Sequence, residues 1–161
     1  MISVGQTFPS VTIKQATPEG LSTVDPTTLF AGKKVVIFSL PGAFTPTCSM
    51  KHLPGFVAKL PELKAQGVDV VACLSVNDAD TMKAWAEAHD ALGKIVMLAD
   101  GNAELTKALG IEVDLSKFTM GVRARRGLIT LDDNKVTSIE MEEPGKFEVS
   151  SAEACLVSLK K

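Results

Sequence analysis

Three apolar runs recur along the chain, at residues 35–40, 68–76 and 95–99. They are mostly apolar and rich in valine and isoleucine, which predicts β-strands that are covered on both faces. Helical patterns follow the runs, and an alternation of strands and helices favours a layered α/β architecture. The first run is the first central strand of the predicted sheet.

The longest helical pattern follows this first strand. Between residues 47 and 66, apolar side chains recur at the spacing of one helical face. Pro54 and Pro61 interrupt the pattern, and an interior proline removes a helical hydrogen bond. We therefore expect a kinked or restarted helix, with a loop followed by a shorter helix as the alternative.

Two further helices are predicted after the second and third runs. Asn77 and Asp78 are natural N-caps for a helix over 79–91. A shorter helix should follow the third run and end before Gly110. Both helices would belong to the layers that cover the sheet.

Two hairpins are predicted near the ends of the chain. The first joins residues 11–14 to 22–25 through a turn rich in breakers, and it should pack at a sheet edge. The second joins residues 127–131 to 136–141. Because hairpin strands are antiparallel, the sheet should be mixed.

A capping signature predicts the last helix. Ser150 is followed three residues later by Glu153, which is the spacing of a capping box ahead of a helix over 151–159. A short helical turn is also expected over 26–30. No internal repeat or linker interrupts the pattern, which favours a single domain over residues 1–161.

The composition agrees with one soluble domain. At 161 residues and 45% hydrophobic content, the chain can build one sizeable core. A net charge of -2, a pI near 5.7 and 5% aromatic residues argue against nucleic acid as a partner. The N-terminal residues lack a signal-peptide pattern and no apolar run approaches the ~20 residues that span a bilayer, so we expect a cytoplasmic protein with no membrane partner.

The cysteine and histidine content limits the possible chemistry. Three cysteines with no C-x-x-C pair, and two histidines, predict neither a disulfide framework nor a zinc site. We therefore expect no metal and no cofactor. A reducing compartment with one special thiol fits this content best.

The candidate for that thiol is Cys48, which ends the stretch Pro-Gly-Ala-Phe-Thr-Pro-Thr-Cys after the first predicted strand. A strand, a turn and a helix start would place Cys48 in or near a first helical turn, where backbone N–H groups lack partners. The positive end of a helix and a nearby cation both favour the thiolate, which is the nucleophilic form of cysteine.

Thr45 and Pro41 are candidates within the same stretch. Thr45 lies three residues before Cys48, so across a turn its hydroxyl could donate to the thiolate or to a bound oxygen, and accept from a protonated partner. Pro41 has a rigid ring and no N–H, and can cover one side of the sulfur without competing for its hydrogen bonds. An arginine from elsewhere would complete a site for attack of sulfur on oxygen.

Pro41, Thr45 and Cys48 form the motif Pro-x-x-x-Thr-x-x-Cys, which resembles the active-site motif of the peroxiredoxins. The uninterrupted string from Pro41 to Ser49, with Lys-His-Leu-Pro-Gly-Phe at 51–56, is similar to the type II, peroxiredoxin-5-like branch. The resemblance covers nearly the whole chain and continues through residues 71–78, Trp85, residues 98–101 and residues 123–126.

The resemblance implies a fold and an activity. The fold would be thioredoxin-like, with a mixed central sheet flanked by helices and an N-terminal hairpin extension. The activity would be a thiol peroxidase that reduces hydrogen peroxide and alkyl hydroperoxides, with Cys48 becoming a sulfenic acid. Arg126 stands where the family places an arginine that enters the peroxide pocket, beside Thr45 and Pro41. A homodimer is also expected, with Phe44 and Trp85 near its interface.

The cycle then requires a reductant, because a sulfenic acid is reversible whereas further oxidation is hard to undo. These residues include no C-x-x-C pair, so we expect electrons from a separate glutaredoxin, thioredoxin or glutathione. Cys73 is either a packed core side chain or the thiol that resolves oxidised Cys48, which the resemblance permits but does not require. Resolution would bring the two Cα atoms within roughly 7 Å, through local unwinding of the helix start.

Other candidates have structural interpretations. Cys155 is expected to pack on the inner face of the final helix. Arg123 and Arg125 are predicted to form a solvated face, unlike Arg126. His52 is expected to be structural or an electrostatic helper, because no hydrolase signature accompanies it.

One residue next to Arg126 departs from the family pattern, and two alternative functions fit the same residues. Gly127 follows Arg126 where the family often has an aromatic residue, which leaves the packing of Arg126 undetermined. The alternative function is a redox-sensing interaction protein that forms mixed disulfides through Cys48, and a noncatalytic thioredoxin-fold module is a third. The rate at which peroxide oxidises Cys48 separates the three.

Overall fold

The computed structural model describes residues 1–160 as a mixed sheet flanked by helices. The strands are β1 (Ile13–Thr17), β2 (Gly20–Val24), β3 (Lys34–Ser39), β4 (Val70–Ser75), β5 (Val96–Ala99), β6 (Glu112–Asp114), β7 (Val122–Ala124), β8 (Gly127–Asp132) and β9 (Lys135–Met141). The α-helices are α1 (Pro26–Phe30), α2 (Leu53–Ala65), α3 (Ala79–Ala88), α4 (Glu104–Leu109) and α5 (Ala152–Leu159). A π-helical turn, Cys48–His52, leads into α2, and a 3-10 turn, Ser116–Phe118, lies between β6 and β7.

The main sheet contains seven strands in the order β2-β1-β5-β4-β3-β8-β9. Strands β3, β4 and β5 are parallel, whereas β8 pairs antiparallel with β3, and β1 pairs antiparallel with β5. The predicted mixed α/β sheet is therefore confirmed, with the β1–β2 hairpin at one edge. Strands β6 and β7 form a separate antiparallel pair.

The core has one cluster on each face of the sheet, as continuous apolar strands require. One cluster packs Phe38 of β3 against Phe56 of α2 and Trp85 of α3. The other packs Phe30 of α1 and Leu105 of α4 against the opposite face. Among residues 1–160, no helix combines the length and apolarity needed to cross a bilayer.

The N-terminal hairpin is tighter than predicted. Thr17 pairs with Gly20, so only the two residues between them form the turn, and the broad turn predicted over 15–21 is wrong. Strand β1 is hydrogen-bonded on both sides, since Ala16 pairs with Leu21 of β2 and with Met97 of β5. This double pairing keeps the polar residues of β1 in strand conformation.

The helix after β3 is not one straight α-helix, as expected, because a π-helical turn interrupts its α-helical hydrogen bonding. The π-helical turn ends at His52 and α2 begins at Leu53. Pro54 lies at the start of α2, directly after the π-helical turn, and Pro61 lies inside α2 without ending it. The alternative of a loop followed by a shorter helix is wrong.

Two helix boundaries also differ from the prediction. Helix α3 is capped by Asp78, whose carboxylate accepts from the N–H of Thr81 at 3.1 Å, and it ends at Ala88 because Asp90 adopts a φ of 55°. The N-cap of α5 is Ser151, which accepts from the N–H of Ala154 at 3.0 Å. The capping box predicted at Ser150 is therefore wrong.

Candidate active site

Cys48 lies where the chain leaves β3 and begins to coil. The N–H of Ser49 donates to the carbonyl of Thr45 at 2.9 Å, so helical hydrogen bonding begins just before Cys48. The thiol is fully buried among residues of the core. Cys48 therefore lies at the start of a helical segment, as predicted from the turn and helix signals, where backbone N–H groups attract negative charge.

Strand pairing brings Arg126 to this thiol. Ser39, the last residue of β3, pairs with Gly127, the first residue of β8, so the residue before β8 lies beside the chain that leaves β3. Nη2 of Arg126 donates to Sγ of Cys48 at 3.1 Å. Two residues 78 positions apart in sequence thus form a charge-assisted contact, which stabilises negative charge on the sulfur.

Gly127 leaves room for a side chain from the neighbouring strand. A Cβ at Gly127 would collide with Sδ and Cε of Met141. The family often has an aromatic residue at the position of Gly127. In this chain the side chain of Met141, at the end of β9, fills that space instead. This contact answers the question of how the chain packs next to Arg126.

His52 holds the other side of the guanidinium. Nη1 of Arg126 lies 2.8 Å from Nδ1 of His52, and Nε2 of His52 lies 2.9 Å from the carbonyl oxygen of Ser150. Because a guanidinium only donates and a carbonyl only accepts, the ring is neutral with its proton on Nε2. Burial, followed by the positive charge of Arg126, lowers the pKa of His52 to about 3.

Aromatic rings surround His52 and shield it from water. Its ring centroid lies 5.0 Å from that of Phe38, 5.7 Å from Phe56 and 5.0 Å from Phe147. Phe147 also lies under the guanidinium of Arg126, with Cζ at 5.8 Å from the ring centroid. The rings limit the movement of both polar side chains and lower the local dielectric, which strengthens their contacts.

A buried carboxylate orders the chain segment that faces His52. One oxygen of Glu142 accepts from the N–H groups of Glu148, Val149 and Ser150 at 2.8, 2.9 and 2.9 Å, and from Oγ of Ser150 at 2.7 Å. Burial alone would raise the pKa of the Glu142 carboxyl, but these hydrogen bonds outweigh it and lower the pKa. Sequence reasoning missed Glu142 and assigned Ser150 to the helix cap instead.

Thr45 and Pro41 lie in the loop between β3 and Cys48, and the hydrogen bond of the Thr45 hydroxyl differs from the prediction that it donates to the thiolate. The hydroxyl of Thr45 donates to the carbonyl of Gly42 at 2.7 Å, so its proton is directed away from the sulfur. Its lone pairs remain available to accept a hydrogen bond. Pro41 lines the cleft above the site, and its carbonyl accepts from Nη1 of Arg123 at 3.1 Å.

The predicted solvated face of arginines is wrong. Arg123 is half-buried and contacts Pro41, while Nη2 of Arg125 donates to the carbonyl of Glu142 at 3.3 Å. Both guanidinium groups are used to join backbone segments around the site. The charge run gave no sign of this, because the acceptors are main-chain carbonyls from distant parts of the chain.

A cleft of about 680 Å³ opens beside Arg126. Its walls combine apolar side chains with cationic and acidic groups at the rim. The lining residues are Pro41, Thr47, Lys51, Val113, Leu115, Phe118, Arg125, Arg126, Glu142, Glu143, Pro144, Gly145, Lys146, Phe147 and Glu148. Arg126 lines this cleft and also contacts Cys48, and Thr47 next to Cys48 lines it too, whereas Cys48 and Thr45 do not.

The other two cysteines are buried and free. Cys73 lies in the middle of β4, paired with Phe38 and Met97, and burial, followed by the nearby negative charge of Cys48, raises the pKa of its thiol. Cys155 is buried on α5, as predicted, and burial raises the pKa of its thiol to about 11. Neither environment favours a thiolate.

Trp85 and Phe44 have opposite environments. Trp85 is fully buried within the protomer and its indole N–H donates to Oγ of Ser49 at 2.9 Å. Its place near a subunit interface stays a prediction. Phe44 is 57% exposed at the tip of the active-site loop, with a φ of 60°. Of the two, only Phe44 is available to a partner.

The redoxin family model matches residues 3–156 of this chain. Peroxiredoxin-2B of Arabidopsis thaliana is 48% identical over 98% of each chain. The chloroplastic peroxiredoxin-2E-2 of Oryza sativa subsp. japonica is 51% identical, over 98% of this chain and 72% of the relative.

Solved structures agree with these relatives. Reduced Prx3 from Vibrio vulnificus, in complex with hydrogen peroxide, is 52% identical, with a TM-score of 0.94 over 99% of each chain. Peroxiredoxin 5 from Alvinella pompejana is 36% identical, with a TM-score of 0.86 over 99% of each chain. The predicted thioredoxin-like fold is confirmed by this similarity.

Proposed function

We propose a residue-level catalytic cycle for this chain, which belongs to the redoxin family as a type II peroxiredoxin. The protein is a thiol-dependent peroxidase, as its relatives and structural neighbours establish. The roles of individual residues, the reductant and the assembly state are our proposals. The observation that carries the cycle is the 3.1 Å contact between Arg126 and Cys48.

The first step is an in-line attack by the Cys48 thiolate on the terminal oxygen of a hydroperoxide. A sulfur–oxygen bond forms as the oxygen–oxygen bond breaks, and the other oxygen leaves as hydroxide or alkoxide, which then takes up a proton. Cys48 is left as a sulfenic acid. The guanidinium of Arg126 stabilises both the thiolate and the charge that develops on the leaving oxygen.

Thr45 and Pro41 orient the peroxide. The Thr45 hydroxyl donates to Gly42, and it therefore accepts a hydrogen bond from the O–H of a hydroperoxide. Pro41 covers one side of the site and has no N–H to compete for the sulfur. This pair aligns the oxygen–oxygen bond with the sulfur, which is the geometry that the attack requires.

The substrates are hydrogen peroxide and alkyl hydroperoxides. A Vibrio vulnificus relative is described in complex with hydrogen peroxide, which supports the smaller substrate. The apolar part of the cleft wall, with Val113, Leu115 and Phe118, supports the alkyl class. An alkyl group would lie along this wall while the peroxide oxygens enter beneath it.

A separate reductant closes the cycle. The sulfenic acid condenses with a thiol to give a disulfide and water, and a second thiol from glutaredoxin, thioredoxin or glutathione reduces that disulfide. Cys73 is the candidate internal thiol. Because Cys73 is buried within β4, a bond to Cys48 would need the start of the active-site helix to unwind.

Stopped-flow oxidation followed by intact mass under non-reducing conditions tests the cycle. Wild type should react with peroxide far faster than a free thiol, and Cys48→Ser should lose activity. Full turnover by Cys48→Ser would refute the assignment, and oxidation no faster than a free thiol would favour the redox-sensing alternative. If Cys73 resolves the sulfenic acid, wild type loses two hydrogens while Cys73→Ser stops at the sulfenate. If both proteins stop at the sulfenate or gain glutathione, an external thiol resolves it.

The assembly proposed for this protein is a homodimer that uses the active-site loop. Phe44 and Met50 are apolar and 57% and 78% exposed, which supports an apolar contact at this end of the molecule. Sedimentation at high micromolar concentration tests it, and a monomeric mass would contradict it. A cytoplasmic location remains a proposal supported by the three free thiols, and cell fractionation tests it.

A further inference from the structure

We infer that Arg123 is a positioning residue for peroxide reduction: it anchors the loop that carries Thr45 to the wall of the cleft and so fixes where a peroxide binds beside Cys48. This inference rests on the proposed function. It assigns a role to a cation that the sequence placed on a solvated face.

Arg123 bridges two parts of the site that are distant in sequence. It lies in the middle of β7, paired with Val113 of β6, in the hairpin that forms one wall of the cleft. Its Nε donates to the carbonyl of Met120 at 2.9 Å, which holds the side chain against its own hairpin. Its Nη1 donates to the carbonyl of Pro41 at 3.1 Å, across 82 positions of sequence.

The fit at Gly42 shows how closely the guanidinium approaches the loop. A Cβ at Gly42 would lie 2.7 Å from Nη1 of Arg123 and 3.3 Å from Cγ2 of Thr45. The φ of Gly42 is not positive, so the glycine is required for space and not for an unusual backbone conformation. Only a residue without a side chain allows Arg123 to reach Pro41.

The contact continues to Thr45 through the carbonyl of Gly42. That carbonyl accepts the Thr45 hydroxyl at 2.7 Å and therefore sets the direction of the remaining lone pairs. The loop has an anchor on each side of Gly42. Arg123 holds the carbonyl of Pro41, and the side-chain oxygen of Asn77 accepts from the N–H of Ala43 at 3.0 Å. Removal of Arg123 leaves the second anchor in place, so the loop shifts without unfolding.

The test compares Arg123→Met with Lys117→Met. Both variants remove one positive charge from the same cleft wall, but Lys117 is exposed and extends over the ring of Phe118 instead of the loop. Each variant is assayed by stopped flow for oxidation by hydrogen peroxide, and separately for alkylation of Cys48 by iodoacetamide. Alkylation reports the availability of the thiolate and does not depend on the orientation of a peroxide.

We expect Arg123→Met to slow oxidation by about tenfold to a hundredfold, the range for a small misplacement of reacting groups. Its alkylation rate should stay within about twofold of wild type, and Lys117→Met should match wild type in both assays. An unchanged oxidation rate in Arg123→Met would overturn the inference. So would a parallel fall in both rates, since the thiol itself would then be altered.

Gly42→Ala is a second variant, in which Arg123 is still present but its guanidinium is displaced from the loop. The added methyl group meets the end of the flexible Arg123 side chain and also lies 3.3 Å from Cγ2 of Thr45, so the fold should tolerate it while the contact to Pro41 is lost and Thr45 is crowded. It should slow oxidation in the wild-type background and cost less in Arg123→Met, where only the contact with Thr45 remains. An equal cost in both backgrounds would overturn the inference. Slow oxidation of wild type itself would instead refute the proposed function, whatever the variants do.

Discussion

Nδ1 of His52 accepts a hydrogen bond from Nη1 of Arg126 at 2.8 Å, in an interior shielded by aromatic rings. The same guanidinium presents Nη2 to the sulfur of Cys48 at 3.1 Å. A protonated imidazole would repel Arg126, so the contact exists only with a neutral ring. His52 therefore orients the arginine as an acceptor and does not act as a base toward Cys48.

Replacing His52 by phenylalanine should impair catalysis through Arg126. Phenylalanine keeps the ring but removes the acceptor, and leaving a charged donor without its partner costs about 1.5–3 kcal/mol. If that cost falls on the transition state, oxidation by hydrogen peroxide slows roughly tenfold or more. Stopped-flow oxidation of Cys48 measures it.

His52→Gln is the matched variant for this prediction. Its side-chain oxygen can accept from Arg126, so its oxidation rate should lie closer to wild type than that of His52→Phe. Equal losses in the two variants would show that the shape of the imidazole matters and its acceptor does not.

His52 should also make stability depend on pH. Its pKa in the folded protein is lowered to about 3, from about 6.5 in the unfolded chain. The unfolded state therefore binds more protons between these values, and the stability from the neutral ring is complete above pH 6.5 and declines as pH falls. The slope is about 1.4 kcal/mol per pH unit, or about 2 kcal/mol between pH 6.5 and 5.

Urea unfolding at several pH values between 5 and 7 measures this slope. His52→Gln has no group to titrate at this position, so its unfolding free energy should fall less over the same range. Identical slopes in wild type and His52→Gln would contradict the neutral, buried state of the ring.

Glu142→Gln should loosen the segment that carries the acceptor for His52. The carboxylate receives four hydrogen bonds on one oxygen, and a neutral amide replaces charge-assisted bonds with weaker ones. We expect a loss of about 1.5–3 kcal/mol in the free energy of unfolding at pH 7. Chemical denaturation measures the loss.

The neighbouring Glu143 supplies the control for this variant. Glu143 is exposed, and Glu143→Gln should change stability by less than about 0.5 kcal/mol. Because the pKa of Glu142 is lowered in the folded state, its contribution is present above pH 4.5 and declines as the pH falls through the folded value. A gap between wild type and Glu142→Gln that persists unchanged at lower pH would contradict this account.

The sequence predicts the residues that carry the chemistry of the site better than the contacts that hold them in position. Cys48, Thr45 and Pro41 belong to one short motif, and strand and helix signals on either side of it predict their placement. Arg126 follows from the family resemblance. Strand pairing between Ser39 and Gly127 explains why this arginine reaches the thiol.

The supporting contacts lie outside what local patterns can predict. Arg123 donates to a carbonyl 82 positions away, and His52 contacts a carbonyl 98 positions away, so no spacing rule relates the partners. Glu142 resembles any surface carboxylate in the sequence. The doublet of Ser150 and Ser151 was one available signal. Only one serine is needed to cap α5, so the other has a hydroxyl free for a different partner, which is Glu142.

Cys155 should contribute to stability and not to catalysis. It is buried on α5 in the cluster that contains α2, and burial raises the pKa of its thiol to about 11. Cys155→Ala should lower the free energy of unfolding by about 1 kcal/mol through a small cavity, and Cys155→Ser should cost more because it places a polar hydroxyl in an apolar cluster. Brief treatment of the native enzyme with iodoacetamide at pH 7 should leave Cys155 unlabelled by peptide mass. Both variants should oxidise at the wild-type rate, and slower oxidation would indicate that α5 acts on the active site through α2.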